Sequence, residues 1–172
     1  RTALEFGNAW HEGLRTWYTT RRLEDAKSAF SSCWASHGGD TIEDDLRTEA
    51  LGHRRLEEYT QRYEREPFVV LAQEVPFAIP IGSYFYQGVM DALIQWEDGV
   101  FYVEERKTTT RLGSAYFKRF DPDYQTRGYV IGAQEAINPR IQNALIDAVW
   151  LGKTKPREGD GFARDFTDVG EW

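Results

Sequence analysis

Apolar positions at Leu4, Ala9, Trp10, Leu14, Trp17 and Tyr18 recur close to a helical period, so residues 4–17 predict a helix, and 26–34 continue in the same mode. Ser36-His37-Gly38-Gly39 breaks that region. Asp40 or Thr41 can cap a further helix whose buried stripe is Ile42, Leu46, Ala50, Leu51, Leu56, Tyr59 and Tyr63, with Pro67 beyond its end. The period then changes to that of strands. Residues 68–81 are β-rich but carry Pro76 and Pro80, the mark of an edge or irregular strand. Residues 88–96 and 100–107 flank the turn Glu97-Asp98-Gly99 and predict a hairpin. Asp121-Pro122 reads as a cap and first residue of a helix over 122–137 that stops near Asn138-Pro139. Residues 144–151 predict a buried strand, and 162–166 a last short one after a polar loop. Helices, three strands, a helix and further strands give an α/β or α+β class, with residues 1–172 in a single domain.

Composition supports one folded core: 172 residues are 41% apolar and 28% charged. Aromatics reach 15%, which provides large rings for packing or for stacking on a ligand. No stretch approaches a membrane span, and residues 1–5 lack the apolar core of a secretory signal, so the expectation is a soluble chain without a membrane partner. The lone Cys33 can form no internal disulfide and no four-cysteine metal or iron–sulfur site, which points to a reducing, cytoplasmic setting. A net charge of −7 argues against coating nucleic acid by bulk charge but leaves room for a local basic groove. A start without Met reads as a fragment or a processed chain.

Asp91, Glu105 and Lys107 are the residues on which chemistry can be built. Glu105 and Lys107, two apart on one strand, share a face with Phe101 and Val103. The hairpin can close in two registers. A two-residue turn at Asp98-Gly99 sets Asp91 opposite Arg106, on the other face. A three-residue loop Glu97-Asp98-Gly99, with Gly99 left-handed, sets Asp91 opposite Glu105. Only the second gathers a site. Its two carboxylates make an oxygen cage suited to Mg²⁺ or Mn²⁺, and Lys107 stands one pleat further on to position a nucleophile or stabilise a pentavalent phosphoryl transition state. In isolation the same triplet reads first as a salt-bridged pair of exposed strands.

Context comes from the run YQGVMDALIQWEDGVFYVEERKTT. Gly88-x-x-Asp91, a hairpin, and then Glu105-x-Lys107-Thr108 resemble the core of the PD-(D/E)xK nuclease superfamily. Gly7-x-x-x-His11 on the first helix is similar to the metal-binding histidine motif of its RecB-type exonuclease branch, and Gln125-x-x-x-Tyr129 to that branch's QxxxY motif, with both side chains on one helical face. The resemblance covers residues 7–129. It implies a restriction-endonuclease-like mixed sheet flanked by helices (αβββαβ), DNA as substrate, Asp91, Glu105 and Lys107 as catalytic residues, and His11, Asp91 and Glu105 as metal ligands. Glu74 in QEVPF matches an acidic position near the metals of some relatives, and equally suits a strand edge. Two departures stand out. Arg106 occupies a place where the family usually has an apolar residue, and the cysteines of the iron–sulfur subgroup are absent, so no such cluster is implied.

Between Glu105 and Arg119 the local charge is +4, with Arg111, Lys118 and Arg119 around Tyr116 and Phe117. That loop suggests a track for a phosphate backbone or a frayed single strand, beside Gln125 and Tyr129 as substrate contacts. The resulting expectation is a Mg²⁺- or Mn²⁺-dependent deoxyribonuclease, an exonuclease of recombination, repair or phage DNA metabolism. The alternative is a silent nuclease fold that binds DNA or a partner. Removing Asp91 or Glu105 is expected to abolish cleavage and leave the fold as stable or slightly more so, because like charges are relieved.

Overall fold

The computed structural model describes residues 2–39, 46–121, 123–137, 140–152 and 159–167. In chain order the elements are α1 (Thr2–Thr20), α2 (Leu23–Ser36), α3 (Glu49–Arg62), β1 (Phe68–Ile81), β2 (Tyr84–Trp96), β3 (Phe101–Thr109), α4 (Ser114–Phe117), α5 (Tyr124–Ala136), β4 (Ile141–Trp150) and β5 (Phe162–Phe166). The strands form one sheet in the order β1-β2-β3-β4-β5. This is a mixed α+β fold, and the succession β1, β2, β3, α5, β4 is the strand–helix order that the motifs imply. By density of contacts the chain gathers into two units: residues 1–66 with 108–110 and 149–162, and residues 67–107 with 111–148 and 163–172.

In the first unit the helical stripes meet as their periods require. Phe6, Trp10 and Leu14 of α1, Phe30 and Trp34 of α2, and Leu56 and Tyr59 of α3 are all at most 1% exposed. Their rings meet edge to face, as Phe6 does on both Phe30 and Trp34. The third helix starts later than its stripe suggests. Thr48 is the N-cap, its side chain accepting from the Leu51 N–H at 3.2 Å. Leu46 therefore precedes the helix, and Ala50 lies exposed. Asp40, Thr41 and Ile42 fall outside the described residues.

In the second unit β1 and β2 pair antiparallel over nearly their whole length, with Pro76 and Pro80 tolerated because β1 is the edge strand. Sequence period missed this first hairpin, since the turn at Gly82-Ser83 is flanked by exposed Ile81, Tyr84 and Phe85 rather than by a buried alternation. The last helix is capped by Asp123, which accepts from Gln125 N–H at 3.3 Å, rather than by Asp121, whose carbonyl instead receives Arg127 Nε at 2.7 Å. Pro122, Asn138 and Pro139 lie outside the described residues. Helix α5 comes close to the sheet through Gly128 and Gly132, where a Cβ would stand 2.0 Å from the Tyr86 hydroxyl and 2.3 Å from the Phe77 ring. Between these elements lies a core of Phe77, Met90, Leu93, Val103, Val130, Ala133, Ala144 and Ile146. After α5 the chain returns as β4 beside β3, and the Leu151 N–H donates to Thr109 O at 2.6 Å. Neighbouring strands whose C-terminal ends meet run parallel, as a helical crossover requires.

Candidate metal centre

The hairpin closes through the three-residue loop. Gly99 has φ of +85°, its N–H donates to Trp96 O at 2.9 Å, and Trp96 N–H donates to Val100 O at 2.8 Å. The pairs Gln95↔Phe101, Ile94↔Tyr102, Leu93↔Val103 and Ala92↔Glu104 follow. Continued by one residue, that register brings Asp91 opposite Glu105. There the ladder gives way to a side chain: the Asp91 carboxylate accepts the Arg106 backbone N–H at 2.7 Å. An amide that would otherwise seek a backbone carbonyl is satisfied by a charge, and the Asp91 side chain is fixed as a result.

On the other side of β2, the pairs Gln73↔Ala92 and Val75↔Met90 leave Glu74 facing Asp91. Carboxylate oxygens of Glu74 and Asp91 lie within 4.8 Å of each other. Glu74 has φ of +50°, a left-handed conformation costly for a residue with a Cβ in the middle of a strand. The pleat changes phase at this level. Met90 and Leu93 stand an odd number of residues apart yet pack into one core cluster, which an uninterrupted alternation forbids. The distortion thus turns a carboxylate of the edge strand toward its neighbour. The sequence offers Glu74 equally as an acid near the metals and as a strand-edge carboxylate; its backbone geometry turns it toward Asp91.

Glu105 and Lys107 share a face of β3, and Lys107 Nζ forms an ion pair with Glu105 Oε1. Burial works to lower the Lys107 pKa, but Glu105, Asp91 and Tyr129 outweigh it and raise it above the ordinary lysine value, so the side chain stays a cation. Tyr129 belongs to the same field. Its pKa rises through burial and through the charges of Glu105 and Asp91, against the pull of Gln125 and Lys107. Gln125 Nε2 donates to the Tyr129 hydroxyl at 2.7 Å, and the Tyr129 ring meets Phe77 edge to face at 5.8 Å. Gly88 is small because these rings lie on it: a Cβ there would be 2.9 Å from Phe77 and 3.0 Å from Tyr129.

On the opposite face of the sheet lies a second set of charges. Arg106 is 1% exposed and Glu104 0%, with Arg106 Nη2 and Nε donating to Glu104 Oε2 at 2.8 and 3.1 Å. Arg106 Nη1 also donates to Gln73 Oε1 at 3.1 Å. Arg164 Nη2 pairs with Asp147 Oδ2 at 2.9 Å nearby on β5 and β4. Burial pushes the Glu104 pKa up, opposed first by Arg106. Arg106 thus lies on a buried strand despite its charge, and strand alternation alone does not single out its partner Glu104, since it cannot tell a buried acid from an exposed one.

Of the remaining candidates, His11 lies half-buried on α1 in the first unit. Arg111, Lys118 and Arg119 are exposed, and Arg119 stacks over the Tyr116 and Phe120 rings at 5.3 and 5.1 Å. Tyr116 and Phe117 differ from the expected open track. Both are half-buried against the core of the second unit, because the segment folds into α4 and a 3-10 turn (Lys118–Phe120) that turns its aromatic side inward.

No family model matches the chain, and no curated protein does. Several solved structures show a distant likeness. One is a repair endonuclease from Pyrococcus abyssi, 22% identical over 65% of this chain and 42% of that one, with a TM-score of 0.32. Another, solved under the name SSO0001, is 14% identical over 96% of this chain and 65% of that one, with a TM-score of 0.41. The chain thus spans 42% and 65% of the lengths of these two structures. At these scores neither likeness bears on the site. No described helix is long and apolar enough to cross a membrane.

Proposed function

We propose that the chain is a divalent-metal-dependent deoxyribonuclease of PD-(D/E)xK type. The observation that carries this reading is that Glu74 and Asp91 bring carboxylate oxygens within 4.8 Å of each other at the level where the β2–β3 ladder ends, with the Glu105–Lys107 ion pair on the adjoining strand. The donors suit a hard cation. Oxygens across an octahedral Mg²⁺ stand about 4.2 Å apart at its bond length of about 2.1 Å, so the Glu74–Asp91 pair, within 4.8 Å, closes on such an ion with little movement. We assign Asp91, Glu105 and Glu74 as ligands, and add His11 from its Gly7-x-x-x-His11 motif. A bound Mg²⁺ or Mn²⁺ supplies a water of lowered pKa and a counter-charge for the phosphoryl oxygens.

The chain's own groups do the rest. Lys107, held protonated by its neighbours, places positive charge beside the attacked phosphate. Asp91, fixed by the Arg106 amide, keeps its oxygens in one orientation. Gln125 and Tyr129, bonded to each other, present a hydroxyl and an amide to the substrate next to that charge. Arg111, Lys118 and Arg119 add sequence-independent phosphate contacts. An exonuclease of recombination, repair or phage DNA metabolism, working in the cytoplasm, is the finer form of this reading. Incubation with end-labelled linear and closed circular DNA in Mg²⁺, Mn²⁺ or EDTA tests both levels. Cleavage of linear DNA alone, lost in EDTA, supports the exonuclease. Nicking of circles corrects it to an endonuclease. No cleavage of either, with DNA binding retained, favours the silent fold.

A further inference from the structure

The three front carboxylates have sequence neighbours on the back of the sheet. Gln73 precedes Glu74, Ala92 follows Asp91, and Glu104 precedes Glu105. Those neighbours form one cross-strand row, Gln73↔Ala92↔Glu104. Arg106 spans that row. Its guanidinium bonds Glu104 on its own strand and Gln73 two strands away, a reach of about 10 Å across neighbouring strands. The residue it crosses is Ala92, 0% exposed and small enough to let it pass. The backbone N–H of the same arginine holds Asp91. One residue therefore ties three strands at the level of the site, by its side chain behind and by its amide in front.

We propose that Glu104 and Arg106 are positioning residues, a rigid clamp behind the sheet that sets the spacing of Glu74, Asp91 and Glu105. The functional consequence rests on the nuclease reading; the geometry does not. A buried ion pair is a poor device for stability, since apolar side chains of equal volume serve as well or better. The guanidinium supplies direction instead: a planar fork accepts only one arrangement of its partners, whereas an apolar residue at 106 would let β1 and β3 slide.

The test compares wild type with the double variant Glu104→Leu/Arg106→Met and with Arg106→Lys, which keeps the charge but loses the fork. Amide hydrogen exchange at residue 106 and calorimetric titration with Mn²⁺ are read alongside thermal stability. The double variant is expected to melt at or above the wild-type temperature, yet to exchange its residue-106 amide at least ten times faster and to bind Mn²⁺ roughly ten- to a hundredfold more weakly. Wild-type protection at residue 106, or wild-type Mn²⁺ affinity, overturns the clamp. Should the double variant not fold, Arg106→Lys decides by the same two readouts. A wild-type chain that binds no Mn²⁺ overturns the nuclease reading, and the exchange comparison then judges the clamp by itself.

Discussion

Replacing Asp91 by Ala and by Asn separates its structural work from its electrostatic work. The alanine removes the acceptor of the Arg106 N–H, a charge-assisted hydrogen bond at 2.7 Å worth about 1.5–3 kcal/mol. It also removes a negative charge within 4.8 Å of Glu74, whose repulsion is about 1 kcal/mol at the solvent-like dielectric suited to that exposed partner. The net effect is a loss of about 0.5–2 kcal/mol, a fall of several degrees in melting temperature for 172 residues. Asparagine keeps a carbonyl acceptor and relieves the same repulsion, so Asp91→Asn should melt within about 2 °C of wild type. Charge alone argued that losing Asp91 would leave the fold as stable or more so; the hydrogen bond reverses that sign for alanine. Both variants should lose Mn²⁺ stabilisation, which for wild type at ten times Kd amounts to about 1.4 kcal/mol. Differential scanning calorimetry in EDTA and in Mn²⁺ measures all of these. Equal apo stability of the alanine and asparagine variants refutes the role of the hydrogen bond, and full Mn²⁺ stabilisation of Asp91→Asn refutes the metal assignment.

Lys107→Met should keep Mn²⁺ affinity while turnover falls roughly a hundred- to a thousandfold, as for loss of one transition-state donor. Because its folded pKa is raised, the Lys107 ion pair stabilises the apo chain below the ordinary lysine value and fades only as pH climbs past the folded one, so stability in EDTA between about pH 7 and 9 should not report it. At Glu74, where φ is +50°, glycine should be more stable than alanine by about 1 kcal/mol in urea unfolding, the reverse of the usual order in a strand; a more stable alanine removes the strain. Gln125→Ala/Tyr129→Ala should weaken DNA binding measured in Ca²⁺, and loss of Arg111, Lys118 and Arg119 together should lower the slope of log K against log salt by about 2.7 for duplex DNA. An unchanged slope takes these cations off the phosphate path.

Local rules settled much of this protein in advance. Helical period placed α1 and α2, the Glu97-Asp98-Gly99 turn placed the β2–β3 hairpin, and the requirement that Asp91 share a face with Glu105 selected the three-residue loop that Gly99 adopts. These depend on neighbours a few residues away, and the chain carries that information in order. What depends on strands far apart in sequence was decided only by the tertiary structure. Glu74 enters the site because its strand pairs with β2 and its backbone turns left-handed there. Glu104 and Arg106 lie buried and form an ion pair with each other. Tyr116 and Phe117 turn inward because a segment that reads as a basic loop has a core to join. In each case the deciding partner lies beyond the reach of any local period, and burial, which fixes whether a charge is solvated or paired, exists only once the chain is folded.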